Sequence, residues 1–120
     1  MKISIQVEPR WYVPDFEDNR DLDEPMEVLI QPLSRQDRSV MAADSLLEPG
    51  SKGEMAMRYK LRLISCGVSD VRNLTLEDED GEERSGNVDD LIRYAPPALL
   101  TDIASAVEDA SELRKGMRKN

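Results

Sequence analysis

Positions 77–83 carry six acidic side chains around one glycine, the densest concentration of reactive groups in the chain. A run of that kind invites calcium. An EF-hand loop using Asp78, Asp80 and Gly81 as its third, fifth and sixth positions would place Leu76 first and Asn87 twelfth, so both ends lack the required carboxylate. The run therefore reads as a solvated turn with Asp80-Gly81 at its tip. There is no histidine and one cysteine, Cys66, which removes Ser-His-Asp and Cys-His pairs, an internal disulfide and a zinc ligand set. Gly50 and Gly53 lack the Lys-Ser/Thr that completes a phosphate loop. Glycosidase-type carboxylate pairs are available in any acidic chain, and nothing selects one pair here. These residues point away from an enzyme and imply no metal and no cofactor. Binding remains.

The binding candidates are aromatic and methionine side chains. Arg10–Pro25 holds Trp11, Tyr12 and Phe16 among Asp15, Glu17, Asp18, Asp21, Asp23 and Glu24, a segment too long and too acidic for a hairpin turn. Two readings stand. The aromatics fold back to cover a sheet, or the segment is an arm that docks on another chain, since aromatics anchor interfaces well. Met41, Met55 and Met57 offer pliable apolar contacts, and each also fits a core position.

The elements that position these residues are read from apolar period. Lys2–Glu8 alternates through Ile3, Ile5 and Val7, and Met26–Gln31 through Met26, Val28 and Ile30, which predicts two pairing strands. Ser34 caps a helix over Arg35–Leu47 that buries Val40, Met41, Leu46 and Leu47, and Pro49–Gly53 makes a flexible break. Met55–Val68 read as a helix is apolar on two sides, with Met57, Leu61, Ile64 and Val68 in one stripe and Tyr59, Leu63 and Cys66 in another. That makes it the natural centre of the domain and Cys66 a small buried hydrophobe. The alternation of Met55, Met57, Tyr59, Leu61 and Leu63 also fits a strand, so the period leaves Met55–Ile64 open, while residue propensities favour helix. The helix ends near Asn73, and a short extended piece carries Leu74 and Leu76. Val88–Tyr94 and Ala98–Leu113 complete the helices, the last with Leu99, Leu100, Ile103, Ala104, Val107 and Ala110 on one face. Arg114, Lys115, Arg118 and Lys119 form a basic, frayed tail. The expected fold is α+β, an N-terminal two-stranded antiparallel β element followed by a bundle of about four α-helices around a central helix. One domain results, with residues 1–33 the β element, 34–113 the helical part and 114–120 the tail.

Composition bounds the partner. A chain of 120 residues with 39% hydrophobic content supports a modest core, filled by aliphatics and methionine because only one Phe, one Trp and three Tyr are present. The net charge of −9 disfavours nucleic acid. No apolar run reaches the roughly 20 residues of a membrane span and no leader opens the chain, so the expectation is a cytoplasmic protein without membrane contact. Asp15–Glu27 holds seven acids against one arginine, whereas Lys52–Arg62 and the tail are net basic. Such asymmetry either steers a partner or only maintains solubility. Oligomeric state is not encoded legibly, and a homo-oligomer is compatible with the pattern.

From the central helix through Val68, Val71 and Asn73-Leu74, then Asp80-Gly81, Asp90-Leu91, Leu99-Leu100, Ile103, Leu113 and Lys119-Asn120, the chain resembles the tail assembly chaperones of tailed bacteriophages and prophages. Asn19-Arg20-Asp21-Leu22 and Met26–Ile30 extend the resemblance over most of the chain. The matching positions are mostly aliphatic, and no catalytic signature is among them. The resemblance implies a non-catalytic, cytoplasmic protein that binds the tape-measure protein, with the tail-tube protein as a second partner, and is absent from the virion. A structural virion part (a tail completion or connector subunit) and an acidic mimic of DNA are the competing readings. The basic Lys52–Arg62 stretch and tail disfavour the mimic.

Overall fold

A computed structural model describes residues 1, 8–47 and 50–117, and the side chains at 45–47 and 112–117 lie outside that description. Strands β1 (Arg10–Tyr12), β2 (Glu27–Ile30) and β3 (Val68–Arg72) form one antiparallel sheet in the order β1-β2-β3. Helices α1 (Arg35–Leu47) and α2 (Lys52–Gly67) lie between β2 and β3 in the chain. A separate antiparallel hairpin follows, β4 (Thr75–Glu77) with β5 (Glu83–Ser85), and then helices α3 (Val88–Tyr94) and α4 (Pro97–Met117).

This corrects the expected architecture. A three-stranded sheet and a hairpin replace the two-stranded N-terminal element with a helical bundle. The expected strand Lys2–Glu8 falls largely on residues 2–7, outside the described residues, and the described neighbours of β2 are β1 and β3. Segment Arg10–Pro25 is not wholly loop, because its first residues pair with β2, Tyr12 opposite Val28 and Trp11 opposite Leu29. The central helix does not run on to Asn73. It ends at Gly67, and Val68 turns directly into β3. The reason is a bulge. Val28 faces Val71 and Leu29 faces Asp70, but the register then shifts so that Ile30 faces Val68, leaving Ser69 as the extra residue. Two valines three positions apart can then both turn inward from a strand.

The core is continuous across these elements. Val28 and Ile30 from β2, Val68 and Val71 from β3, Leu63 and Ile64 from α2, Leu91 from α3 and Ile103 and Val107 from α4 are all buried in it. The stretch Met55–Ile64 is helical, within α2, whose N-cap is Ser51, with Glu54 N donating to Ser51 Oγ at 3.2 Å. Within the expected flexible break, Ser51 and Gly53 therefore belong to the cap and first turn of that helix, and Pro49 lies outside the described residues. The buried residues of α2 are Leu63, Ile64 and Gly67, and Tyr59 and Leu61, about 160° apart around the helix, also pack against the core, so members of both expected stripes reach a broad inward face. Cys66 lies off that face and is exposed, correcting its assignment to the core. On α1 the capping is reciprocal, with Asp37 N donating to Ser34 Oγ at 3.0 Å and Ser34 N to Asp37 Oδ2 at 3.4 Å. Met41 is buried there as expected, but Val40, one residue earlier and about 100° around the helix, is 53% exposed. Helix α4 buries Leu99, Leu100, Ile103, Ala104 and Val107 and continues through Met117, so Arg114 and Lys115 belong to a helix and not to a frayed tail.

Gly67 governs the approach of α2 to α4. A Cβ built on it would meet Val107 Cγ1 at 2.4 Å, closer than any such contact can stand, and Val107 is fully buried. Its carbonyl meanwhile accepts from Gln31 N at 2.8 Å, tying the helix end to the segment after β2. A second tie is Ser111, a buried hydroxyl that donates to Val107 O at 2.9 Å and accepts from Leu33 N at 3.0 Å. Gly67→Ala is expected to destabilise the fold by about 1–3 kcal/mol through overpacking. Combined with Val107→Ala, which clears the space, it should cost less than the sum of the two single changes in urea unfolding. Strict additivity would show that the two residues do not share this contact.

Candidate interaction surface

The three aromatics of the N-terminal segment have separate environments. Tyr12 points inward from β1 and packs against the core, and its hydroxyl donates to Asp102 Oδ2 on α4 at 2.8 Å. The same carboxylate oxygen accepts from Asp15 N at 3.0 Å, so Asp102 holds the chain on both sides of the buried Pro14. Phe16 also packs against the core. Asn19 fastens the rest of the loop by donating to Pro14 O and Met26 O, both at 3.1 Å, and accepting from Met26 N at 2.9 Å. One side-chain amide thereby closes the loop where its chain enters and leaves. Thus Tyr12 and Phe16 are both drawn against the core.

Trp11 does the opposite. Strand alternation turns it away from the core, onto the sheet's outer face beside Leu29, and it is 38% exposed. The Arg72 guanidinium sits 4.0 Å from the centre of its ring and also pairs with Glu27. Glu27 and Arg72 face each other across β2 and β3, so the sheet register itself brings the cation to the indole. The result is an aromatic side chain held on a rigid strand with part of its surface open. Of the methionine candidates, Met41 is in the core, while Met55 and Met57 are half-buried on the N-terminal half of α2, outside the core cluster.

Sequence reading missed Asn19, Asp102 and Arg72 as positioning residues. Asn19 and Asp102 act through contacts 5 to 90 positions along the chain, which no local pattern marks. Arg72 was hidden because its strand was read as the end of a helix. Among the described residues no group of three or more acidic or cysteine side chains is arranged to hold a metal ion. No helix among them is long and apolar enough to cross a membrane. Comparison with family models, with characterised proteins and with solved structures gives no match.

Burial, reinforced by the hydrogen bond to Asp102 and by its charge, raises the Tyr12 phenol above its ordinary value of 10.0. Burial and the nearby Glu108 raise Tyr59 as well. A raised value means that the folded state holds the phenolic proton more tightly, so the associated stability is full below pH 10 and is lost as pH rises through the shifted value. In a background with Tyr59→Phe and Tyr94→Phe, which leaves Tyr12 as the one tyrosine, Asp102→Asn should move the Tyr12 titration, followed by tyrosinate absorbance, back towards 10 without reaching it, because burial persists. An unmoved titration would mean that the contact to Asp102 does not form.

Proposed function

We propose that this chain is a non-catalytic protein-binding module, and that it serves as a phage tail assembly chaperone which keeps a tape-measure protein soluble until tail-tube subunits assemble around it. Trp11 carries the binding reading. It is an open aromatic surface on a sheet face braced by Arg72 and Glu27, while the neighbouring Tyr12 and Phe16 are committed to the fold. Interface hot spots favour this kind of residue, a large ring held with little freedom left to lose. A tape-measure segment presents apolar helical faces, and a flat outer sheet face with Trp11 and Leu29 suits one of them. Met55 and Met57, half-exposed on α2, add adaptable apolar surface on a second element. The tape-measure identity of the partner comes from the family resemblance alone, and the cytoplasmic setting follows from the same role.

Co-expression with the tape-measure protein of the same gene cluster is the direct test. The soluble yield of that protein should rise, the two should co-purify, and purified particles should lack this chain by mass spectrometry. Trp11→Ala should keep the far-ultraviolet spectrum and lose about 2 kcal/mol or more of binding. Unchanged solubility with no co-purification would overturn the chaperone reading, and presence in finished particles would favour a structural virion part.

A further inference from the structure

The β4–β5 hairpin and the end of α3 border an open groove of about 540 Å³, inside the roughly 300–1,000 Å³ span of ligand clefts. Leu76 and Tyr94 are the apolar side chains of its lining. Tyr94 is 60% exposed, the most open aromatic among the described residues, and no element covers it. Glu77, Glu79, Glu82 and Glu83 line the same groove. None of these four takes part in an ion pair among the described residues. The one cation of the lining, Arg84, is already engaged, with its two terminal nitrogens 3.1 and 3.0 Å from the Asp90 carboxylate.

The turn keeps its shape without any added cation. Asp78 Oδ1 accepts from Asp80 N and Glu82 N, both at 2.9 Å, and Gly81 takes a positive φ of 82° at the tip. The turn backbone therefore brings Glu77, Glu79, Glu82 and Glu83 to one groove beside an open ring, and no cation among the described residues pairs with them. An anionic segment would be repelled by this rim, and a purely apolar one would leave the carboxylates facing it. A long basic side chain satisfies both parts, with an aliphatic stem for Leu76, a cation for the face of Tyr94 and a head group for the glutamates.

We propose that this groove receives a lysine- or arginine-bearing peptide segment of a partner polypeptide, with the basic side chain laid across Tyr94 and its head group among Glu79, Glu82 and Glu83. The groove is a different surface from the outer sheet face, and it stands whether or not the partner is a tape-measure protein.

The isotopically labelled full chain titrated with a short synthetic peptide of alternating lysine and alanine, followed by NMR, tests this. Shifts should concentrate at Leu76, Glu79, Glu83 and Tyr94 and weaken as salt is added. Tyr94→Ala should reduce affinity about two- to fivefold while Tyr94→Phe retains it. Neutralising Glu79, Glu82 and Glu83 to glutamine should weaken binding more than the matched change Asp21→Asn, Asp23→Asn and Glu24→Gln in the other acidic loop. Trp11→Ala should leave peptide binding unchanged, so that failure here and failure of the chaperone role are distinguishable. Equal losses from the two triple variants would reduce the effect to general charge attraction and overturn the proposal. Indifference to Tyr94→Ala, loss in Trp11→Ala, or the same shifts produced by calcium chloride alone would each overturn it too.

Discussion

The close approach of α2 and α4 at Gly67 is the constraint on which the remaining arrangement depends. Three requirements meet at that residue. Its missing side chain leaves room for Val107, its carbonyl accepts Gln31 N, and the next residue, Val68, begins β3. A helix that ended one residue later would carry Val68 onto another face and remove the sheet's third strand. The bulge at Ser69 completes the adjustment by bringing Val71 back towards Val28. Helix packing and sheet register are thus fixed by the same few residues.

Around that centre the small hydrophobic core is supported by polar groups that join distant parts of the chain. Ser111 secures Leu33, Asp102 secures Tyr12 and Asp15, and Asn19 secures Pro14 and Met26. Each of these satisfies a backbone group or a hydroxyl that would otherwise lose its water on folding. They also decide which aromatics remain for binding. With Tyr12 and Phe16 drawn inward, the outer sheet face is left to Trp11, and its orientation follows from strand alternation alone.

Much of the helical part was legible in the sequence. The capping pair Ser34 and Asp37 and the period of Leu99 through Val107 locate α1 and α4, and Asp89-Asp90 marks the start of α3, where Asn87 and Asp90 close a capping box. These signals are local, so they survive reading one stretch at a time. In the sheet, β2 was legible from the alternation of Met26, Val28 and Ile30, but its partner β3 was not, for a physical reason. Val68 and Val71 have helical spacing, and only a bulge, which depends on the register with β2, converts that spacing into a strand. Cys66 failed similarly, because which parts of the two apolar stripes on α2 are covered depends on where α1, α3, α4 and β3 lie. Of the candidate binding residues, their presence in the N-terminal segment was readable, but which of three neighbouring aromatics would remain open was set by the pairing of β1 with β2, with Asp102, 90 positions from Tyr12, then holding that ring inward.

The charge distribution separates steering from holding. Arginines 20, 58, 62, 72 and 84 are each within ion-pair distance of an acid in the fold, so two of the four cations that the sequence places in Lys52–Arg62 are paired. The excess negative charge remains on the loop after β1 and on the β4–β5 hairpin, both exposed. Charges of that kind act over about 8 Å at physiological ionic strength, which is far enough to orient an approaching chain but too weak to retain it. Retention needs apolar area, and the open aromatic rings stand where such area adjoins fixed charge. Trp11 lies beside an arginine–glutamate pair that is internally neutral, whereas Tyr94 lines a groove with glutamates that have no ion pair among the described residues. The two proposed surfaces therefore suit different chemistry, the first an apolar face of little net charge and the second a basic side chain.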